Sequence, residues 1–145
     1  MNIKQALKRK NVLVNEIKQE FAKAQTYNSV EVGSKKPYSA RTALVSYLTK
    51  IDELVELKRA IHVSNAPIYG KIFRLSELKS SIKYLSSLNC NEGKEPNRYG
   101  TTEPRILEVE IGIVERDNMV KIMEAEIDKI QDDLDYFNNI TILPE

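Results

Sequence analysis

Residues 120–137 read VKIMEAEIDKIQDDLDYF, and this stretch decides the fold class. Its apolar residues recur at alternating steps of three and four, the spacing that keeps side chains on one face of an α-helix and forms a coiled-coil seam. The members of this uninterrupted seam are Val120, Met123, Ile127, Ile130, Leu134 and Phe137. The pattern predicts a long helix that packs through one apolar face.

Two further segments show the same alternation, and another has apolar residues at steps of three and four; short clusters of Gly and Pro, which interrupt helices, separate the segments. The predicted helices span about 2–27, 39–63, 71–88 and 113–138, with Ser39 as the N-cap of the second. Long helices joined by short connectors favour antiparallel hairpins. We therefore predict one all-α domain over 1–145, in which long antiparallel hairpins form a coiled coil or bundle of about four helices.

Two of the predicted helices have more apolar surface than a simple pair would cover. In the second helix, Leu48, Val55 and Leu57 widen the stripe beyond a two-stranded seam. The third helix is shorter than the fourth, which leaves part of the fourth to pack on another chain. The long heptads predict a homo-oligomer.

Residues 104–114 (PRILEVEIGIV) mix a period of two with helical spacing. This mixture leaves room for a short strand or an extended lead-in to the fourth helix. Residues 27–32 (YNSVEV) also favour a strand. The prediction therefore allows a short β-pairing between these two segments near the loops.

The composition excludes several kinds of site. The chain has 145 residues, 41% of them hydrophobic, with a single Cys (Cys90) and a single His (His62). These counts exclude an internal disulfide, a multi-cysteine metal site and paired-histidine motifs, and no phosphate-binding glycine loop is present. We predict a protein that is not an enzyme, with no cofactor, no metal and no evident small-molecule substrate. No apolar run approaches the ~18 residues of a membrane span, and residues 1–10 lack a secretion signal, which indicates a cytoplasmic location.

Charge is uneven along the chain. The first hundred residues have a formal net charge of +9 and the last forty-five have −8. The favoured interpretation is that the acidic fourth helix lies against the basic first and third helices, within the chain or across a subunit boundary. The alternative is a basic face that binds nucleic acid, although no recognition motif accompanies the charge. The residues of this candidate face are Lys4, Lys8, Arg9, Lys10, Lys18, Arg41, Lys58 and Arg59.

The long connection before the fourth helix contains Arg98 and Tyr99. Arginine offers forked hydrogen bonds and tyrosine offers a ring that stacks on other groups. Long loops often carry function. We predict that the pair either recognises a ligand or, as the favoured alternative, anchors the loop to the bundle.

Several short motifs follow one another along nearly the whole chain. They are a basic first helix, an Ile61–Asn65 turn, a Gly70-Lys71 step before the Leu-rich third helix, the Arg98-Tyr99 pair, Glu103-Pro-Arg105, and a closing Asn138–Thr141 segment. In this layout the chain resembles the septicolysin-like family of small bacterial helical proteins. Pro67 and Pro104 depart from the family pattern. The resemblance implies a self-associating α-helical coiled-coil protein without established enzyme activity.

Three functions therefore stay open. The first is a non-enzymatic, self-associating coiled-coil protein, which the heptads and the complementary charge favour. The second is a nucleic-acid-binding module that uses the basic face of the first two helices, with salt-dependent binding. The third is a membrane-active, septicolysin-like toxin, which only the family name suggests.

Overall fold

The computed structural model describes residues 1–95 and 103–145. This part of the chain contains four α-helices, a short 3-10 turn at Ala66–Ile68 and a two-stranded antiparallel sheet. In chain order the main elements are α1 (Ile3–Asn28), α2 (Ala40–Ser64), α3 (Tyr69–Ser86), β1 (Gly93–Glu95), β2 (Arg105–Leu107) and α4 (Ile113–Ile140). Each helix end lies within two residues of its predicted position. The all-α fold class is confirmed.

The helices belong to two compact units. The first unit contains residues 1–68 and 135–145, and the second contains residues 69–134. The chain leaves the first unit after the 3-10 turn and re-enters it in the last turns of α4.

In the first unit, α1 and α2 form the predicted antiparallel hairpin. Phe21 near the end of α1 lies against Tyr47 near the start of α2, with ring centroids 5.3 Å apart. Arg9 near the start of α1 pairs with Glu53 in the second half of α2. The buried residues of the two helices are Ile3, Ala6, Leu13, Ala24, Ala43, Ala60 and Ile61. Several of these are alanines, and small side chains at a helix contact allow a short distance between the helix axes.

Both helices of the hairpin begin at side-chain caps. The Asn2 side chain accepts from the Gln5 backbone N–H at 2.8 Å, and the Gln5 side chain accepts from the Asn2 N–H at 3.0 Å. This capping box satisfies two backbone donors that a helix leaves without partners. At α2, the hydroxyl of Ser39 accepts from the Thr42 N–H at 3.3 Å. The predicted Ser39 cap is confirmed.

The last residues of the chain lie beside its first residues. The Ile3 N–H donates to the Thr141 carbonyl at 3.0 Å, and the Leu143 N–H donates to the Met1 carbonyl at 3.0 Å. The contact of part of α4 with another chain, expected from the helix lengths, stays a prediction. In the structure, the segment that follows α4 pairs with the start of α1 in the same chain.

In the second unit, ion pairs join α3 to α4. Lys71 Nζ lies 2.9 Å from a carboxylate oxygen of Asp133, and Arg74 Nε lies 2.9 Å from one of Glu126. The partners run in opposite directions along the two helices, so this pair is antiparallel as well. The predicted contact between the acidic fourth helix and the basic third helix is therefore present within one chain.

The β-pairing lies elsewhere than predicted. Strand β2 pairs with β1, so that Ile106 lies opposite Lys94, while Tyr27 and Asn28 form the end of α1. A short β-pairing near the loops is confirmed, but the predicted pairing with residues 27–32 is wrong. Strand β1 reads Gly-Lys-Glu, which has little intrinsic strand preference. Its pairing register with β2, rather than its composition, makes it a strand.

Candidate functional site

Part of the predicted basic face is a continuous surface of α1. Lys4, Lys8 and Lys18 are exposed and lie on one side of the helix, because at about 100° per residue their directions fall within an arc of about 80°. The exposed side chains of Asn11 and Asn15 fill the positions between them. This side of α1 therefore presents three lysines and two amides to solvent.

Arg9 belongs instead to an ion-pair network that joins α1 to α2. Its Nη2 atom lies 2.9 Å from Glu53, and its Nη1 atom lies 3.3 Å from Glu16. Lys50 Nζ lies 2.8 Å from the second oxygen of Glu16. The two carboxylates compensate the two cations. Sequence analysis missed Glu16, Lys50 and Glu53, because only the hairpin register shows which charges face each other.

The network makes part of the stability depend on pH. The hydrogen bond from Lys50, with further attraction from Arg9, holds the pKa of Glu16 below its ordinary value of 4.5. A carboxyl with a lowered pKa stabilises the folded state above its unfolded pKa, and this contribution is lost as pH falls through the folded pKa. We therefore expect the urea midpoint to decrease as the pH is lowered from about 5 to about 3. Glu16→Gln should reduce the slope of the urea midpoint against pH in this range.

Urea titrations at several pH values, followed by circular dichroism, measure this effect. Glu31→Gln is the matched control, since Glu31 is exposed and has no ion pair within the described residues. The control should keep the slope of the unaltered protein. An unchanged slope in Glu16→Gln would contradict the assignment of this pH dependence to the network.

The other predicted basic residues are spread over the hairpin. Arg59 pairs with Glu56 on its own helix at 2.9 Å. Lys58 is exposed, Lys10 is half-buried, and Arg41 lies in the first turn of α2, at the opposite end of that helix from Arg59. The structure therefore does not bring the eight residues together on one surface. The predicted recognition or anchoring pair, Arg98 and Tyr99, lies outside the described residues.

A second side of α2 carries an apolar surface that its hairpin partner does not cover. We name Leu44, Leu48, Ile51 and Val55 the α2 stripe; their spacing of four, three and four places them along one side of the helix. Leu48 is 54% exposed, Val55 is 56% exposed, and Ile51 is half-buried. Because α1 packs on the side that contains Ala43 and Ile61, the α2 stripe is a separate face.

The α2 stripe opens at one end into a groove between α1 and α2. The groove has a volume of about 430 Å³, and Leu44 of the stripe forms part of its wall. Phe21 and Ala24 form the apolar wall on α1, and Arg41 lies at the α2 side. Stripe and groove together form an apolar surface with a cation at its edge.

An acidic surface lies on α4 in the second unit. Asp117, Glu124, Asp128 and Asp132 are exposed and project from one side of the helix, away from the buried Ile130. Lys121 is a single cation on the same side. The chain therefore exposes both a basic helix surface and an acidic one.

The described residues contain neither a candidate metal site nor a candidate membrane span. No three His, Cys, Asp or Glu side chains among them are placed to share a metal ion. None of the helices in residues 1–95 and 103–145 is both long and apolar enough to cross a bilayer. No protein family, curated protein or solved structure matches the chain. The septicolysin-like resemblance stays a prediction, and function is argued from the geometry alone.

Proposed function

We propose that the protein is a non-enzymatic, self-associating helical protein whose α2 stripe binds a helix of a second copy. The observation that carries this proposal is the exposure of Leu44, Leu48 and Val55 along one side of α2. Soluble monomers rarely leave a contiguous row of large aliphatic side chains in water, and such surfaces mark interaction sites. A third helix laid along the stripe would cover it in the manner of a coiled coil.

Charge complementarity indicates a second copy as the occupant. Arg41 and Lys58 flank the α2 stripe, with Asp52 beside it and Arg59 paired with Glu56, while the exposed side of α4 is acidic. The chain thus carries both halves of a complementary pair, and opposite potentials speed encounter and fix register. A symmetric contact between two α2 stripes is less favourable, because antiparallel pairing centred on the stripe would bring Arg41 opposite Lys58. The proposed contact is therefore heterologous, with different surfaces on the two copies.

The test is light-scattering mass on a sizing column, over protein concentrations of about 1 to 100 μM. We expect a weight-average mass above that of the 16.6 kDa chain. This mass should rise with concentration and level off at the mass of a discrete oligomer. The oligomer should persist from ~0.1 M to ~1 M salt, where the Debye length falls from roughly 10 to 3 Å, because salt does not screen apolar burial. A monomer at every concentration would refute the proposal.

The two alternative functions have less support. Glutamates in the hairpin compensate the charges of Arg9 and Arg59, and this reduces the support for the hypothesis that the predicted basic face binds nucleic acid. A membrane-active function rests on the septicolysin-like resemblance, and leakage of loaded liposomes would test it. The cytoplasmic location also stays a prediction.

A further inference from the structure

A cleft lies where the loop between α1 and α2 returns to the hairpin. Its volume is about 400 Å³, at the lower end of the range of ligand sites. It is lined by Tyr27, Asn28, Lys36, Tyr38, Ser39, Ala40 and Arg41. Apart from Arg41, these residues take no part in the proposed self-association. No carboxylate from the described residues lines the cleft.

The cleft contains a partly exposed aromatic pair. The rings of Tyr27 and Tyr38 have centroids 5.8 Å apart and planes inclined by 52°. Lys23 Nζ lies 4.6 Å from the centre of the Tyr38 ring, which adds a cation–π contact. These contacts hold the Tyr38 ring in place, while half of its surface stays exposed. A fixed, exposed ring is a surface on which a planar base can stack.

The cations of the cleft lack carboxylate partners. Lys36 and Arg41 make no ion pair within the described residues, whereas Arg9 and Arg74 each pair with a glutamate. The hydroxyl of Ser39 is used in the cap of α2. Uncompensated positive charge beside an aromatic surface therefore characterises this end of the hairpin. A guanidinium matches the geometry of a phosphate, and an ammonium binds one as a point charge.

We propose that this hairpin-end cleft binds one nucleotide unit of a single-stranded nucleic acid. The base stacks on Tyr38, and Lys36 and Arg41 contact the phosphate. Lys35 extends the positive charge beyond the cleft, where a neighbouring phosphate of a strand would lie and a free mononucleotide would make no contact, whereas Lys23 pairs with Glu20 at 3.5 Å. Aromatic stacking combined with a basic surface is the usual means of binding single strands without sequence preference. This inference goes beyond self-association.

The test is fluorescence anisotropy of a labelled thymidine oligonucleotide of about ten residues, at ~50 mM and ~200 mM salt. We expect Lys36→Gln combined with Arg41→Gln to weaken binding by about tenfold or more and to make it less salt-dependent. The matched control is Lys79→Gln combined with Lys83→Gln, which removes two exposed lysines of α3 that make no ion pair within the described residues and lie outside both the cleft and the α2 stripe. The control should bind within about threefold of the unaltered protein, because distant charges are screened.

The aromatic contribution is tested separately at the same ring. We expect Tyr38→Ala to weaken binding about tenfold, while Tyr38→Phe retains it, because phenylalanine keeps the stacking surface. Circular dichroism and light scattering on each variant should give the helix content and mass of the unaltered protein, because the proposed oligomer does not depend on screened charges, and this separates the test from the self-association proposal.

Three outcomes would overturn the inference. One is the absence of binding at ~50 mM salt. Another is an equal loss in the cleft variant and the Lys79, Lys83 control, which would indicate general electrostatic attraction. The third is displacement of the oligonucleotide by thymidine monophosphate at equal concentration, which would make a free nucleotide the ligand.

Discussion

Leu48→Gln combined with Val55→Gln should convert the self-associated protein into a monomer without loss of helix content. Both side chains are more than half exposed in the single chain, so an amide at either position stays hydrated and costs the monomer little. In the proposed contact, a partner helix would bury the same amides without hydrogen-bond partners, at about 1–3 kcal/mol each. Together these costs correspond to association weaker by roughly thirtyfold to 10⁴-fold.

A matched control lies on the same helix. Val45 and Val63 are also more than half exposed, and they point about 90° around α2 from the middle of the α2 stripe. Val45→Gln combined with Val63→Gln should leave the oligomer intact. Sedimentation velocity on both double variants, at equal concentrations, distinguishes the surfaces. Dissociation of the control, or persistence of the oligomer in the stripe variant, would place the interface elsewhere.

The sequence predicted the helices well because each helix is decided locally. The seam from Val120 to Phe137 and the Ser39 cap depend on residues a few positions apart, and both are found in the structure. The sheet depends on a register across the connection between α3 and α4. The Gly-Lys-Glu sequence of β1 contains no local signal for that register, and the strand-forming residues at 27–32 suggested a different partner.

The candidate sites were predicted less completely, for a related reason. The sequence shows that Arg9 is basic, but not that Glu16 and Glu53 compensate it across the hairpin. Tyr27 and Tyr38 are eleven positions apart and meet only because the loop returns the chain to α2. A signal was present, since Tyr27 lies just before the connector, and a Lys-Lys pair and Tyr38 lie near its end. Composition alone does not show that these side chains share a cleft.

Leu13→Ala should cause the largest loss of stability among single substitutions in the hairpin. Leu13 is fully buried, so the change removes its contacts and leaves a cavity, and the free energy of unfolding should fall by about 3–5 kcal/mol. Small domains are stable by only about 5–15 kcal/mol, so the urea midpoint should fall sharply. The measurement belongs in the monomeric Leu48→Gln, Val55→Gln background, because association would otherwise add to the apparent stability.

In that background Leu44→Ala is the matched control, because it is the same truncation of leucine to alanine, made in the α2 stripe. Leu44 is 43% exposed, so the same truncation should cost about 1 kcal/mol or less. The difference between the losses in free energy of unfolding of the two variants measures how much less Leu44 is packed within its own chain than Leu13. Equal losses would mean that Leu44 is packed in the monomer, and the α2 stripe would then have no surface to offer a second copy.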